Sequence, residues 1–196
     1  EAVVNGKFVT IADADTAVVA TGTFVLNDVT ETKVANITIK YVDYDSVVYA
    51  TVDFEGTTGL GTSYASGTFN ANEGISISYG GSRDEGEYAI DGKGIMLRRA
   101  SDSFIEITVP NGFVSLEFDY RKAFTGGTER KLVISINGEA VHTTPGFGSG
   151  SGAQTEVHKL NFAGYYEGNT VIRISVTGDS MQTTIDNLKI GTFPTP

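Results

Sequence analysis

Apolar and polar residues alternate with a period of two along most of this chain, which is the signature of strands with one buried face. From Val114 to Tyr120 the residues Val114, Leu116, Phe118 and Tyr120 fall on one side, and Ser115, Glu117 and Asp119 on the other. The same alternation places Ile105, Ile107 and Val109 together, then Leu132, Ile134 and Ile136, then Ile172, Ile174 and Val176. It predicts strands at Lys7–Ile11, Thr16–Leu26, Lys33–Asp43 and Ser46–Val52. Further strands are expected at Tyr64–Phe69, Ile75–Tyr79, Tyr88–Ile90, Ile95–Arg99, Ser103–Val109, Val114–Tyr120, Lys131–Ile136, Glu139–Thr143, Val171–Thr177 and Thr183–Ile190. Within Lys33–Asp43 the pattern reads as a half-buried strand with one wet face. No run has the 3.6-residue period and capping residues of a helix.

The punctuation agrees with the strands. Asn137-Gly138 is the strongest hairpin signal, because both residues tolerate the positive φ of a type I′ turn. Turns are also expected at Asn5-Gly6, Asp13–Asp15, Asn27-Asp28, Asp91–Gly94 and Pro110–Gly112. Gly80–Gly86 reads as a polar loop, in which Ser82–Glu85 is the first candidate for a binding edge, and Thr144–Gln154, rich in glycine and serine, as either a flexible tether or a mobile binding loop. Short strands at regular spacing indicate an all-β protein with an antiparallel sandwich of jelly-roll type. Residues 53–190 read as that sandwich. Residues 1–52 are short for a complete immunoglobulin-like sandwich and read as a small or partial β segment, and residues 191–196 as a linker.

Composition narrows the chemistry. The chain has 196 residues, 24 of them glycine, and apolar residues make up 40%, enough for a packed core. A net charge of −10 disfavours nucleic acid as a partner and suits collection of a hard cation by oxygen ligands. There is no cysteine, which excludes disulfides and cysteine zinc sites. No apolar run is long enough to span a bilayer, so membrane insertion is not expected. No basic stretch followed by an apolar run opens the chain, so a secretory leader, if one exists, is expected to have been removed.

Two carboxylates at opposite ends of the larger unit stand out. Asp53-Phe54-Glu55-Gly56 follows a run of β-branched and aromatic residues, placing Asp53 and Glu55 on one strand face, and Thr184-Ile185-Asp186-Asn187-Leu188 forms a late echo of it. If the first and last strands are neighbours, Glu55 and Asp186 meet and, with carbonyls of the Asp91–Gly94 turn, offer oxygens to Ca²⁺. The plainer reading is two exposed charges at strand ends. The Phe-Glu pair at the start and Ile-Asp-Asn-Leu at the end resemble those of jelly-roll carbohydrate-binding modules, and are similar to those of MAM-type extracellular sandwiches. The stretches Tyr88–Arg98 and Phe118–Phe124 resemble modules appended to bacterial secreted nucleases and surface proteins. The resemblance covers roughly residues 53–190. It implies a structural calcium ion bound by Glu55 and Asp186, and an extracellular or cell-surface setting of bacterial type.

The same resemblance makes a glycan or polysaccharide the expected partner. Sugar recognition needs aromatic faces for the CH-rich side of the ring and polar groups for its hydroxyls. The chain has no tryptophan, a departure from the usual platform. Tyrosines Tyr79, Tyr88, Tyr120, Tyr165 and Tyr166 are the candidate aromatic surfaces, with Arg83, Asp84, Arg98 and Arg121 as polar contacts. Of Tyr165 and Tyr166, adjacent on a strand, one is expected to face outward. Structural counterparts exist for each: core tyrosines, and cross-strand ion pairs on a sheet face. The histidines His142 and His158 lie in no metal-ligand spacing, and no nucleophile elbow or phosphate loop is present. The expectation is a non-catalytic carbohydrate-binding module, or an accessory domain of an enzyme. The alternative is a structural or adhesive surface module that acts as a spacer or binds another surface protein.

Overall fold

The computed structural model describes residues 2–4, 7–9, 16–26, 29–39, 46–56, 58–177 and 181–194, and none of these is in an α-helix. The chain divides into two units, residues 1–45 and residues 46–196. In the first, β1 (Ala2–Val4) pairs with β2 (Lys7–Val9), and β3 (Thr16–Leu26) pairs with β4 (Val29–Ile39) along their full length, from Thr16↔Ile39 to Leu26↔Val29. β4 begins four residues before the expected strand. Residues 29–36 are exposed on both faces, not half-buried as the alternation implied. The turns expected at Asn5-Gly6, Asp13–Asp15 and Asn27-Asp28 lie outside the described residues.

The boundary between units falls earlier than the pattern indicated. β5 (Val48–Val52) belongs to the second unit, because it pairs antiparallel with the last strand, β15 (Thr183–Thr192), from Leu188↔Val52 to Thr192↔Val48. Its alternation buries Ala50 and Val52 in the core. The pairing also carries Gly191 and Thr192, expected as linker, into the sheet. Thr192 is fully buried and its hydroxyl donates to the Gly112 carbonyl at 2.7 Å.

The remaining strands are β6 (Ala65–Asn70), β7 (Ser76–Glu85), β8 (Gly94–Leu97), β9 (Phe104–Val109), β10 (Phe113–Lys122), β11 (Leu132–Ile136), β12 (Glu139–Thr143), β13 (Val157–Tyr166) and β14 (Thr170–Val176). They form one continuous antiparallel path, β12-β11-β14-β9-β7-β8-β15-β10-β13, with β6 added beside β7 and β5 beside β15. The path curls on itself, so that inward residues from its two halves meet in one core: Ile77, Ile105, Ile107, Ile134, Ile172 and Ile174 from one side, Leu116, Phe118, Ile185, Leu188 and Ile190 from the other. This is the expected all-β sandwich of jelly-roll type. At Asn137-Gly138 the two φ angles are 51° and 86°, as the hairpin signal required.

Three local readings change. The segment expected as a polar loop at Gly80–Gly86 is the second half of β7. There the strand leaves β9, its last pair being Gly80↔Phe104, and joins β8, its first pair being Ser82↔Leu97. Two glycines make that switch possible: a Cβ at Gly80 would overlap the Phe104 ring, and Gly81 has φ 52°. Tyr88–Ile90 is not a strand. The buried Glu85 carboxylate accepts the backbone N–H of Glu87 (2.6 Å) and Tyr88 (2.8 Å) and turns the chain there. Finally, β13 carries no strong alternation in sequence and forms because it closes the edge of β10.

Thr144–Gln154 is neither a tether nor a mobile loop. Phe147 exchanges both backbone hydrogen bonds with Arg130, at 2.9 and 3.0 Å. The Arg130 side chain is fully buried and has no carboxylate partner among the described residues. Its guanidinium donates instead to the carbonyls of Ala123 (2.9 Å), Gln182 (3.0 Å), Thr128 (2.8 Å) and Gly148 (2.8 Å). Buried Lys122 donates to the Gly150 carbonyl at 2.6 Å. Burial pushes the pKa of both cations down, and for Lys122 the nearby Arg130 charge adds to it. Removing the guanidinium strands several buried carbonyls, each costing about 1–3 kcal/mol. Arg130→Met is therefore expected to lower the unfolding free energy by about 3 kcal/mol or more, and Arg130→Lys to recover only part of it, as read from urea denaturation.

Candidate functional site

The two carboxylates at the ends of the sandwich do converge. Val52 ends β5, and Phe54 takes a left-handed backbone (φ 59°) that drives its ring into the core. The Asp53 carboxylate accepts the Glu55 N–H at 3.1 Å, so Asp53 serves the turn and does not share a strand face with Glu55. Glu55 then reaches the turn after β7: its Oε1 accepts the Lys93 N–H, and a Cβ at Gly92 (φ 69°) would overlap its carboxylate. Asp186 holds the same turn from β15. Its Oδ2 accepts the Asp91 N–H at 3.1 Å, and its Oδ1 accepts the N–H of Asn187 at 2.7 Å. The first and last strands are thus clasped around residues 91–93.

Electrostatically this clasp is short of positive charge. Asp186 is fully buried, and burial pushes its carboxyl from an ordinary 3.8 up to about 6. The N–H bonds from Asn187 and Asp91 pull it down, while the negative charges of Asp91 and Glu55 push it further up. Among the described residues no group of three or more His, Asp or Glu side chains is placed to hold a metal. Side-chain ligands for an ion at the clasp therefore number two, Glu55 and Asp186, with carbonyls or water completing the shell. An excess of carboxylate charge with oxygen donors only fits a hard cation.

A second cluster sits where β7 and β8 meet the segment 86–93. The Arg83 guanidinium lies over the Tyr64 ring (5.2 Å to the centroid) and the Phe124 ring (5.7 Å), and Tyr88 packs on Phe124 at 4.9 Å. Arg83 donates to Glu85 at 3.3 Å, and its Nε–H is buried without a hydrogen-bond partner among the described residues. Register puts Arg83, Met96, Thr184 and Arg121 in one row across four strands. Thr184 Oγ1 and Arg121 Nε are likewise buried without partners. Phe124 holds a left-handed backbone with φ 61°, an uncommon state for an aromatic residue that clusters at functional sites. Burial raises the pKa of the Tyr64 hydroxyl, opposed by the Arg83 charge.

The expected ligand residues divide between this cluster and other duties. Arg83 and Tyr88 lie in it. Arg121 borders it, braced by bonds to the carbonyls of Ala89 and Gln154, both 2.8 Å. Arg98 is paired with Asp102, with Nε to Oδ1 at 3.1 Å. Asp84 pairs with Lys93 at 3.5 Å, and its other oxygen is buried without a partner. Tyr120 is buried, inside a separate cleft. Tyr166 packs on Phe113 in the core, and Tyr165 takes the other side of the strand, against Phe193 at 6.1 Å, its hydroxyl donating to Glu167. Glu85 lies in the stretch Ser82–Glu85 expected as a binding edge, whereas sequence reasoning missed Tyr64 and Phe124. No local pattern marks them, since only the curl of the sheet brings the ends of β6, β7 and β10 together.

The cleft, about 440 Å³, opens between β12 and β13, the two ends of the strand path. Its floor is a ring stack: Tyr120 on His158 (5.3 Å, interplanar 27°) and on Phe147 (4.8 Å, 71°). His142 on β12 and Leu160 and Asn161 on β13 line its sides.

No protein-family model matches the chain, and no curated relative matches it. Solved structures similar in part include carbohydrate-binding modules and parts of larger chains, among them an exo-beta-1,3-galactanase from Phanerochaete chrysosporium and a GH87 alpha-1,3-glucanase catalytic domain. One is the CBM36-1 domain of a multidomain xylanase from the hindgut metagenome of Trinervitermes trinervoides: 16% identity, 76% of this chain and 99% of that one, TM-score 0.43. Another is a family 35 carbohydrate-binding module from Clostridium thermocellum: 21% identity, 64% and 97%, TM-score 0.41. A third is the C-terminal family 22 module of Clostridium thermocellum Xyn10B: 10% identity, 78% and 97%, TM-score 0.46.

Because the Asp186 carboxyl binds its proton more tightly folded than unfolded, its ionisation opposes folding. Its contribution to stability is expected to fall as pH rises from 3.8 to about 6. In chelator, the melting temperature of Asp186→Asn should lack the part of this decline that the native chain shows, as measured by calorimetry across that window.

Proposed function

We propose that residues 46–194 form a non-catalytic carbohydrate-binding module of a secreted or cell-surface protein, docking a glycan at the cluster around Arg83. The observation that carries this reading is the convergence of three half-buried aromatic rings, Tyr64, Tyr88 and Phe124, around one guanidinium with an unused N–H. Aromatic faces take the CH side of a pyranose, and planar polar groups take its hydroxyls. Arg83 is held by Glu85 and the rings beside it, so it loses little freedom when it donates to a sugar oxygen. The Tyr88 ring forms the accessible wall, and Arg121 fixes the segment that carries it by bonding Ala89. No described helix is long and apolar enough to cross a membrane.

The second part of the proposal is a structural Ca²⁺ at the clasp. Glu55 and Asp186 would hold it, supplying the two carboxylates that tie the first and last strands together. When bound, the ion supplies the positive charge that buried Asp186 lacks. It acts on stability, not on ligand chemistry.

One observation favours the alternative of a structural or adhesive module that spaces its neighbours or binds another surface protein. Among the described residues the aromatic side chain exposed beyond a third is Tyr49, at 46%, and it lies outside the Arg83 cluster, with Lys189 over its ring. A broad flat aromatic platform is therefore lacking.

A glycan array with the whole chain in calcium buffer, followed by calorimetric titration of any hit, tests the binding. Arg83→Ala is expected to weaken it about tenfold, the value of one hydrogen bond to a charged group. Silence across the array sinks the glycan reading in favour of the spacer. For the ion, EDTA is expected to lower the melting temperature of the native chain, since a ligand bound only by the folded state stabilises it by mass action. Glu55→Gln is expected to shrink that difference, and an unchanged melting temperature in EDTA excludes the ion.

A further inference from the structure

We infer that the cleft between β12 and β13 is a second binding site, for a short neutral saccharide, separate from the Arg83 cluster. It is the place where the curled sheet fails to close. Among the described strands β12 pairs with β11 alone and β13 with β10 alone, so each has one edge that no described strand covers. Such edges present N–H and C=O groups that need partners. Here the two edges flank a recess of about 440 Å³, a volume in the range of small-molecule sites.

The floor is suited to a sugar's apolar side. Tyr120 and Phe147 lie under it, both nearly buried, with His158 stacked on Tyr120. Their positions do not depend on the ligand, because Phe147 is locked by its two backbone bonds to Arg130. The sides are suited to hydroxyls. His142 and His158 are the chain's two histidines, and both line this one cleft. An imidazole offers a donor and an acceptor in one plane, and the strand edges add backbone groups beside them.

Other ligand classes fit less well. No carboxylate lines the cleft, and two imidazoles fall short of a metal site. Lys159 is the single fixed charge in the lining; of the carboxylates beside it, Glu156 stands 3.9 Å from the His158 ring nitrogen, and Glu129, against Gly146, pairs with Lys131. A nearly charge-balanced recess with an aromatic floor selects an uncharged, hydroxyl-bearing molecule, and its volume limits that to one or two sugar rings.

Because the chain has only two histidines and both line the cleft, their ring C–H signals report on it alone. The test is a titration of the isotope-labelled full chain with neutral disaccharides (cellobiose, xylobiose, maltose), with glycerol at equal concentration as control. The expected result is saturable movement of both imidazole signals with at least one disaccharide and not with glycerol. That movement should persist in Arg83→Ala, and the His158 response should weaken at least fivefold in His142→Ala. Native signal dispersion in each variant verifies its fold. Shifts near Arg83 with both imidazole signals still would overturn the second site and leave the module reading intact. Imidazole movement with an unaffected Arg83→Ala and no shifts near Arg83 would support the cleft and overturn the Arg83 cluster as the docking place. Equal movement with glycerol, or none with any sugar, overturns the second site.

Discussion

The Arg130 guanidinium, buried with no acid to pair with among the described residues, is the interaction on which the architecture of this part of the sandwich depends. A buried charge is tolerated only when its hydrogen bonds are met. Here they are met by the carbonyls of Ala123, Thr128, Gly148 and Gln182, which lie in the segments before β11, after β12 and just before β15. One side chain thereby does for three loops what a bound cation does elsewhere: it gathers carbonyl oxygens that have no strand to pair with. Lys122 repeats the device at Gly150. The glycine-rich segment is consequently a fixed wall, and Phe147 within it becomes the floor of a cleft.

The opposite charge problem is solved at the clasp, four residues further along the chain from Gln182. Asp186 and Glu55 are acids whose partners are amide N–H groups of one turn, Asp91–Lys93. Amides satisfy the oxygens but supply no full positive charge, and the raised carboxyl of Asp186 expresses that shortfall. The two clusters thus carry complementary imbalances: cations among carbonyls in one, carboxylates among amides in the other. The first imbalance is closed by the chain itself. The second is where an added cation lowers the electrostatic cost.

Much of the fold was legible because strands with one buried face must alternate. Val114–Tyr120, Leu132–Ile136 and Val171–Val176 follow that rule. The Asn137-Gly138 hairpin follows from backbone sterics alone. The meeting of Glu55 and Asp186 at one turn was legible too, given neighbouring end strands. What misled was composition read as conformation. Gly80–Glu85 is polar and glycine-rich, yet it is strand, because a strand that changes partners needs glycine where it bends. Thr144–Gln154 is equally glycine-rich, yet it is fixed, because a distant buried arginine bonds its carbonyls. Tyr79, read as a contact surface, is packed within the sandwich, and Tyr166 packs against its core.

The sequence by itself determined the all-β class, the hairpin, the core faces of the regular strands and the residue types available for chemistry. These are local consequences of side-chain alternation and backbone freedom. Only the tertiary structure decided which loops face one another, and so which residues form a site. Register across β7, β8, β15 and β10 brought Arg83, Thr184 and Arg121 into one row from positions a hundred residues apart. The curl of the sheet put Tyr64 and Phe124 beside Arg83, and faced β12 toward β13 around two histidines. Such juxtapositions depend on strand order, and strand order is fixed by the summed burial of the whole core, which no short stretch of sequence contains.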